Sequence, residues 1–287
     1  MNTKKIISLI SCMTVIVSGL MGRSNISFAE NSADYINTTT AVVAENTTET
    51  ATTSNDTIDV FSVYDAHQKY IEASKPDTNE FVFRNGIDVS TFQHDIDWNT
   101  VKNSGVDFAM IRAGYGRELY QVDARFHENM QKAKDAGIDC GAYWYSYATT
   151  PEQAVLEAET CYQIIKDYQF EYPIVFDIED ESQKHLSTAT ISAIIESFCS
   201  TLEEKGYYVS LYSYASFLNS SVYQSTLQKY DVWVAHYNVS APSYNGNYGM
   251  WQYTSSGTVS GIEGNVDLDY SYKNYPYLME KYHLNGF

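Results

Sequence analysis

The chain has 287 residues, of which 44% are hydrophobic and 15% aromatic, enough for one large domain with extensions or for two small ones. Its 36 acidic residues outnumber 18 basic ones, a formal charge of −18 that disfavours nucleic acid and anionic membrane surfaces as partners. Tyrosine, at 26 residues, is abundant, and an apolar ring with a polar tip suits a wet, aromatic-lined groove.

In chain order, residues 1–29 read as an export signal: Lys4 and Lys5, then the apolar run "IISLISCMTVIVSGLMG", then small residues around Ala29. An uncleaved anchor is the alternative, because the run approaches a spanning length. Cleavage would leave 15 basic and 36 acidic residues, a charge of −21, and place the protein outside the cell or at the cell wall. It would also leave three cysteines, Cys140, Cys161 and Cys199, without framework or metal spacing and expected as buried thiols. Residues 30–80 read as a disordered Thr/Asn-rich tether with one possible short helix after residue 58, and residues 81–287 as the folded domain.

Within that domain eight short segments rich in β-branched and aromatic residues predict strands: 85–90, 106–114, 139–148, 172–179, 207–214, 230–237, 248–254 and 265–272. The first five gaps carry helix signals. "DWNTVKNSG" and "DARFHENMQKAKDAG" end at glycine, "TPEQAVLEAETCYQIIKDY" opens on Thr-Pro, and "STATISAIIESFCSTLEEKG" ends on Lys-Gly. "SVYQSTLQKY" is a shorter fifth. The last two gaps, "NVSAPSYNGN" and "SSGTVSGIEGN", are polar and glycine-rich and predict no helix. The expected fold is α/β: a TIM-like barrel of five βα units followed by three strands with few or no helices. An open doubly wound sheet is the alternative, weakened because no glycine-rich phosphate loop follows the first strand.

The chemistry concentrates in "PIVFDIED". Alternation puts Asp177 and Glu179 on one face, about 6.6 Å apart along a strand. Two carboxyls that close resist ionising together, so one keeps a proton beside an anion, the pairing that glycosidic cleavage uses. A strand ending in a solvated acidic turn is the bland alternative. Asp88 at the end of the first strand and Asp267 in the last shift the balance, because closing a barrel brings those strands together at the same mouth. Alternation places Asp269 as well as Asp267. A site for magnesium or calcium is the rival use of such a cluster. Tyr145, in "GAYWYSYA", and Trp251 with Gln252, in "MWQYT", are candidates to stack on and bond a sugar, whereas Trp144 is expected in the core.

Taken together, "GIDVSTFQHDIDW", "FAMIRAGYG", "GAYWYSYATTPEQAVLEA", "PIVFDIED", "LYSY" and "WQYTSSGTVSGIEGNVDLDY" resemble the glycoside hydrolase family 25 lysozymes, the Chalaropsis-type muramidases. The resemblance runs from about Arg84 to Tyr272. It implies an enzyme that hydrolyses the β-1,4 bond between N-acetylmuramic acid and N-acetylglucosamine in peptidoglycan strands, and the expected enzyme uses no cofactor and no metal. It implies Glu179 as general acid/base, Asp177 as its partner in stabilising the transition state, and Asp88 and Asp267 completing the acidic floor. It favours Asp267 over Asp269, and places Tyr145, Tyr212, Trp251 and Gln252 along the sugar sites. His94 departs from the pattern, in which glycine often follows the glutamine, and puts the shape of the first loop in question. A chitinase-like hydrolase and a catalytically silent glycan-binding barrel are the rival functions, and a monomer with no membrane contact after cleavage is expected.

Overall fold

The computed structural model describes residues 81–287; the expected export signal and tether lie outside the described residues. Eight strands close into one barrel in chain order. They are β1 (Phe81–Val89), β2 (Phe108–Tyr115), β3 (Asp139–Tyr145), β4 (Ile174–Asp177), β5 (Val209–Tyr214), β6 (Asp231–Ala235), β7 (Met250–Gly257) and β8 (Val266–Lys273). All eight coincide with the segments expected from sequence. Strands β1 to β7 run parallel, and β8 lies antiparallel to both β7 and β1, closing the ring.

Strands buried on both faces read as unbroken apolar runs. β4 (IVFD) and β6 (DVWVA) are buried at every position. The outward residues meet helices: Phe176 stacks on Phe198 at 4.3 Å, and Trp144, fully buried, donates its Nε1–H to the Gly116 carbonyl. Helices α1 (Trp98–Asn103), α2 (Phe126–Asp135), α3 (Pro151–Ile165) and α4 (Thr188–Glu203) follow β1 to β4. Thr150 and Ser187 cap α3 and α4 by accepting the backbone N–H of Gln153 and Thr190. Along α4, Ile191, Ile194, Ile195, Phe198, Cys199 and Leu202 repeat at helical spacing and are buried. Cys140, Cys161 and Cys199 are all buried free thiols.

Two departures concern helices. The expected single helix over 221–230 is instead α5 (Ala215–Ser221) and α6 (Gln224–Leu227). They are separated at Val222 and Tyr223, both extended, where the Tyr223 N–H bonds the Ser192 hydroxyl of α4. An eight-residue helix, α7 (Tyr275–Tyr282), follows β8 and was not expected from sequence. Its Tyr275 is fully buried against Tyr172, with ring centroids 5.1 Å apart, and donates to Asp231 Oδ2, which also accepts from Tyr208 and pairs with Lys273 Nζ at 3.0 Å. That network and the stacked pair Phe108–Tyr172 fill the end of the barrel opposite the mouth. Glycine at 86 is required there, since a Cβ would stand 2.2 Å from the Phe108 ring.

Candidate active site

Inward-facing side chains of the upper barrel converge on one cavity of about 230 Å³ at the C-terminal ends of the parallel strands. Asp88, Asp177, Glu179 and Asp267 all line it, together with Tyr145, Tyr212 and Gln252. β4 ends at Asp177, and the Ile178 N–H still bonds the Tyr212 carbonyl, so the chain stays extended long enough to bring Glu179 back to the same face. Asp177 is buried and Glu179 half-buried.

The orientation of β8 separates the two candidates on that strand. Both Asp267 and Asp269 point inward, but Asp267 pairs with Asp88 and Asp269 with Gly86. Asp267 is therefore at the mouth and Asp269 one layer deeper, 1% exposed, where Trp233 Nε1 donates to it at 2.8 Å. Asp88 stands beside both, and the charge of each bears on it.

Burial raises every acid of the cavity. Asp88 is pushed well above the usual range by burial, then by Asp269 and Asp267; Gln252 opposes the shift. Asp177 is pushed well up by burial and by Glu179, against the pull of Arg112. Glu179 is raised by burial, then by Asp267, with Lys184 opposing. Asp267 and Asp269 rise for the same first reason. Asp177 Oδ1 is buried with no hydrogen-bond partner, which agrees with a carboxyl that resists charge. For the Asp177–Glu179 pair the direction is upward on both carboxyls, from burial and, on Asp177, from the charge of Glu179.

Gln252 bridges two tyrosines and an acid. Its Oε1 accepts from the hydroxyls of Tyr212 (2.8 Å) and Tyr237, and its Nε2 donates to Asp88 Oδ2 at 2.7 Å. Tyr145 donates to Asp180 Oδ2. Trp251 does not line the cavity, contrary to the sequence expectation. Alternation that turns Gln252 inward turns Trp251 outward, where it packs on Tyr253 and Tyr270 and bonds the His236 carbonyl.

Tyr143, which alternation puts on the same face as Tyr145, lines the cavity too, whereas sequence reading missed Arg112, Trp233 and Tyr237. Arg112 is the one cation among the lining residues, and a charged residue inside the apolar run "FAMIRAG" was its signal. Its Nε and Nη2 both reach buried Asp123, at 2.8 and 2.7 Å, and its guanidinium lies over the Phe92 ring. Asp123 also accepts the Thr91 N–H, tying the first loop to β2. Tyr237 follows Trp233 at even spacing along β6 and its extension, so alternation alone would have found it. His94 takes φ 52°, in the left-handed region that favours glycine, so the loop keeps the glycine-type backbone.

Sequence comparison places residues 87–262 within the profile described as Glycosyl hydrolases family 25. The autolytic lysozyme of Clostridium acetobutylicum is 33% identical over 184 residues, 64% of this chain and 54% of that protein, so the chain spans about half the length of that relative. The crystal structure of a bacterial lysozyme from Streptomyces coelicolor aligns with a TM-score of 0.58 at 31% identity, covering 65% of this chain and 90% of that one. The modular autolysin LytC of Streptococcus pneumoniae, solved with a synthetic peptidoglycan ligand, aligns at 0.58 and 31% over 66% of this chain and 47% of its own. With the profile covering more than half of the sequence and the barrel matching in fold, this chain belongs to glycosyl hydrolase family 25.

Proposed function

We propose that this protein is a secreted muramidase that cleaves the β-1,4 bond between N-acetylmuramic acid and N-acetylglucosamine in peptidoglycan strands. The observation that carries the reading is the convergence of Asp88, Asp177, Glu179 and Asp267 on one cavity in a chain of this family. Glu179, half-buried with its pKa raised, is the general acid that protonates the leaving oxygen and then the base that activates water. Burial and mutual repulsion leave the Asp177–Glu179 pair one proton to share; with that proton on Glu179 as the acid, Asp177, drawn down by Arg112, is the anion that steadies the positive charge developing at the sugar, with net retention through the substrate acetamido group or a covalent intermediate. Asp88 and Asp267 form the acidic floor. Tyr145, Tyr212 and Gln252 face the sugar; Arg112, held by Asp123, limits the charge the cavity accumulates.

Mass spectrometry of soluble fragments from purified peptidoglycan tests this directly. Products ending in a reducing muramic acid are expected, and release from chitin instead would move the assignment to a chitinase-like hydrolase. Glu179→Gln removes the proton and is expected to lower turnover by about 10²- to 10⁴-fold with the fold intact. Unchanged turnover would move the acid role to another residue, and no fragment release by the wild type would leave a glycan-binding barrel. Export predicts a secreted form that begins just after residue 29, which N-terminal sequencing reads.

A further inference from the structure

Glu157 on α3 is fully buried yet belongs to no part of the proposed chemistry. Its Oε2 accepts the Ser146 hydroxyl at 2.6 Å, and its Oε1 accepts the Tyr147 N–H at 2.9 Å. Ser146 stands where β3 leaves the barrel, and its own N–H bonds the Asp177 carbonyl. Gln183, in the turn after β4, donates from Nε2 to the carbonyls of Ser146 and Ala148 and lies 3.3 Å from Ser146 Oγ. Its Oε1 accepts the Asp180 N–H, and Asp180 in turn accepts from Tyr145. One chain of bonds therefore runs from Glu157 to the aromatic segment Tyr145–Tyr147 and to the turn that carries Glu179.

We propose that Glu157 is a positioning residue whose carboxylate form holds the Tyr145–Tyr147 edge of the cleft for the glycan strand, and whose protonation releases it. The geometry dictates the direction. Ser146 Oγ has three polar neighbours, and two of them, the Ala148 N–H and the Gln183 amide, are donors. Its single proton has Glu157 Oε2 alone to go to. A proton on that oxygen sets two hydrogens on one short line, and the hydroxyl or the loop must turn away. Tyr147, 45% exposed, packs its ring edge-on to Tyr145 at 5.1 Å and to Tyr115 at 6.1 Å, so a loosened loop disturbs the aromatic edge beside the cavity.

Burial pushes Glu157 up to about 7, against its bonds from Ser146, Tyr147 and Ala148 and the charge of Arg117 in the loop after β2. The other titratable neighbours are the Tyr147 phenol, just beyond β3, and the buried Cys161 thiol one turn along α3. The proton therefore comes and goes in the neutral range. The activity readout below rests on the muramidase reading; the spectroscopic one does not.

The test is a pH titration of the whole chain by amide NMR, with Glu157→Gln alongside. The Tyr147 and Ala148 amide signals are expected to move with a midpoint near 7 in the wild type and to stay still in the variant. Still signals in the wild type, or movement that persists in Glu157→Gln, overturn the proposal. On purified peptidoglycan, Glu157→Gln is expected to raise apparent KM about five- to tenfold, the worth of roughly one lost hydrogen bond, with kcat within about twofold. A fall in kcat at unchanged KM overturns it. Should that variant fail to fold, Ser146→Ala removes the conflicting proton, and its apparent KM is expected to be flat between about pH 6 and pH 8. A slope like the wild type's overturns the proposal. Full activity in Glu179→Gln would sink the acid assignment while leaving the amide titration standing.

Discussion

At the scale of single residues, the site works by placing polar atoms where water does not reach. The acids themselves were legible, because Asp177, Glu179, Asp88 and Asp267 each stand at or just beyond the end of a strand whose apolar residues announce it. What supports them was not. Asp269 depends on the Trp233 indole, a residue that reads in sequence as core, and its other oxygen is already buried without a partner. Trp233→Phe keeps an aromatic ring but removes the donor together with the five-membered ring. It should cost about 1–3 kcal/mol in denaturant unfolding, the penalty of stripping a buried carboxyl of its bond. A loss below 0.5 kcal/mol would mean that Asp269 finds another donor or sheds its charge without cost.

At the scale of elements, strands were read better than helices. A strand in this barrel is buried on both faces, so its signal lies in composition over a few residues. The short helices α5, α6 and α7 are too brief for propensity to decide them and exist through the surfaces they cover. α7 is held by Tyr275, Leu278 and Met279, a small apolar face that means little until the barrel floor is there to receive it. The loop after β1 shows the opposite case, a backbone demand visible in one residue. His94 is exposed and adopts φ 52°, a conformation that costs a residue with a Cβ about 1 kcal/mol. His94→Gly is expected to raise stability by about 0.5–1 kcal/mol, read as a higher melting temperature, with the Asp88 end of β1 undisturbed. A lower melting temperature would show that the imidazole makes a stabilising contact.

At the scale of the whole molecule, concentrating raised acids in one barrel makes stability depend on pH. Asp88, Asp177, Glu179, Asp267, Asp269 and Glu157 all have folded-state values above their ordinary ones, so folding takes up protons. Such groups contribute stability that is complete below their unfolded values, near 4, and is lost as pH rises through the folded ones. For Glu157 that window runs from its ordinary 4.5 to about 7, worth roughly 3 kcal/mol. The melting temperature is expected to be higher at about pH 5 than at about pH 8, and the reverse order would show that the surface pairs, not the barrel interior, govern the balance. The amino-acid sequence by itself determined the number and order of the strands, the helices of the first four units and the placing of Asp88, Asp177 and Glu179 at strand ends, because these follow from local composition and from period-two alternation. Only the tertiary structure decided that β8 runs antiparallel, setting Asp267 at the mouth and Asp269 beneath it, that Trp251 turns away while Gln252 turns in, and that Glu157 reaches the cleft through Ser146. Each of these depends on which strand lies beside which, and in what direction, and pairing between segments far apart in the chain leaves no mark on either segment alone.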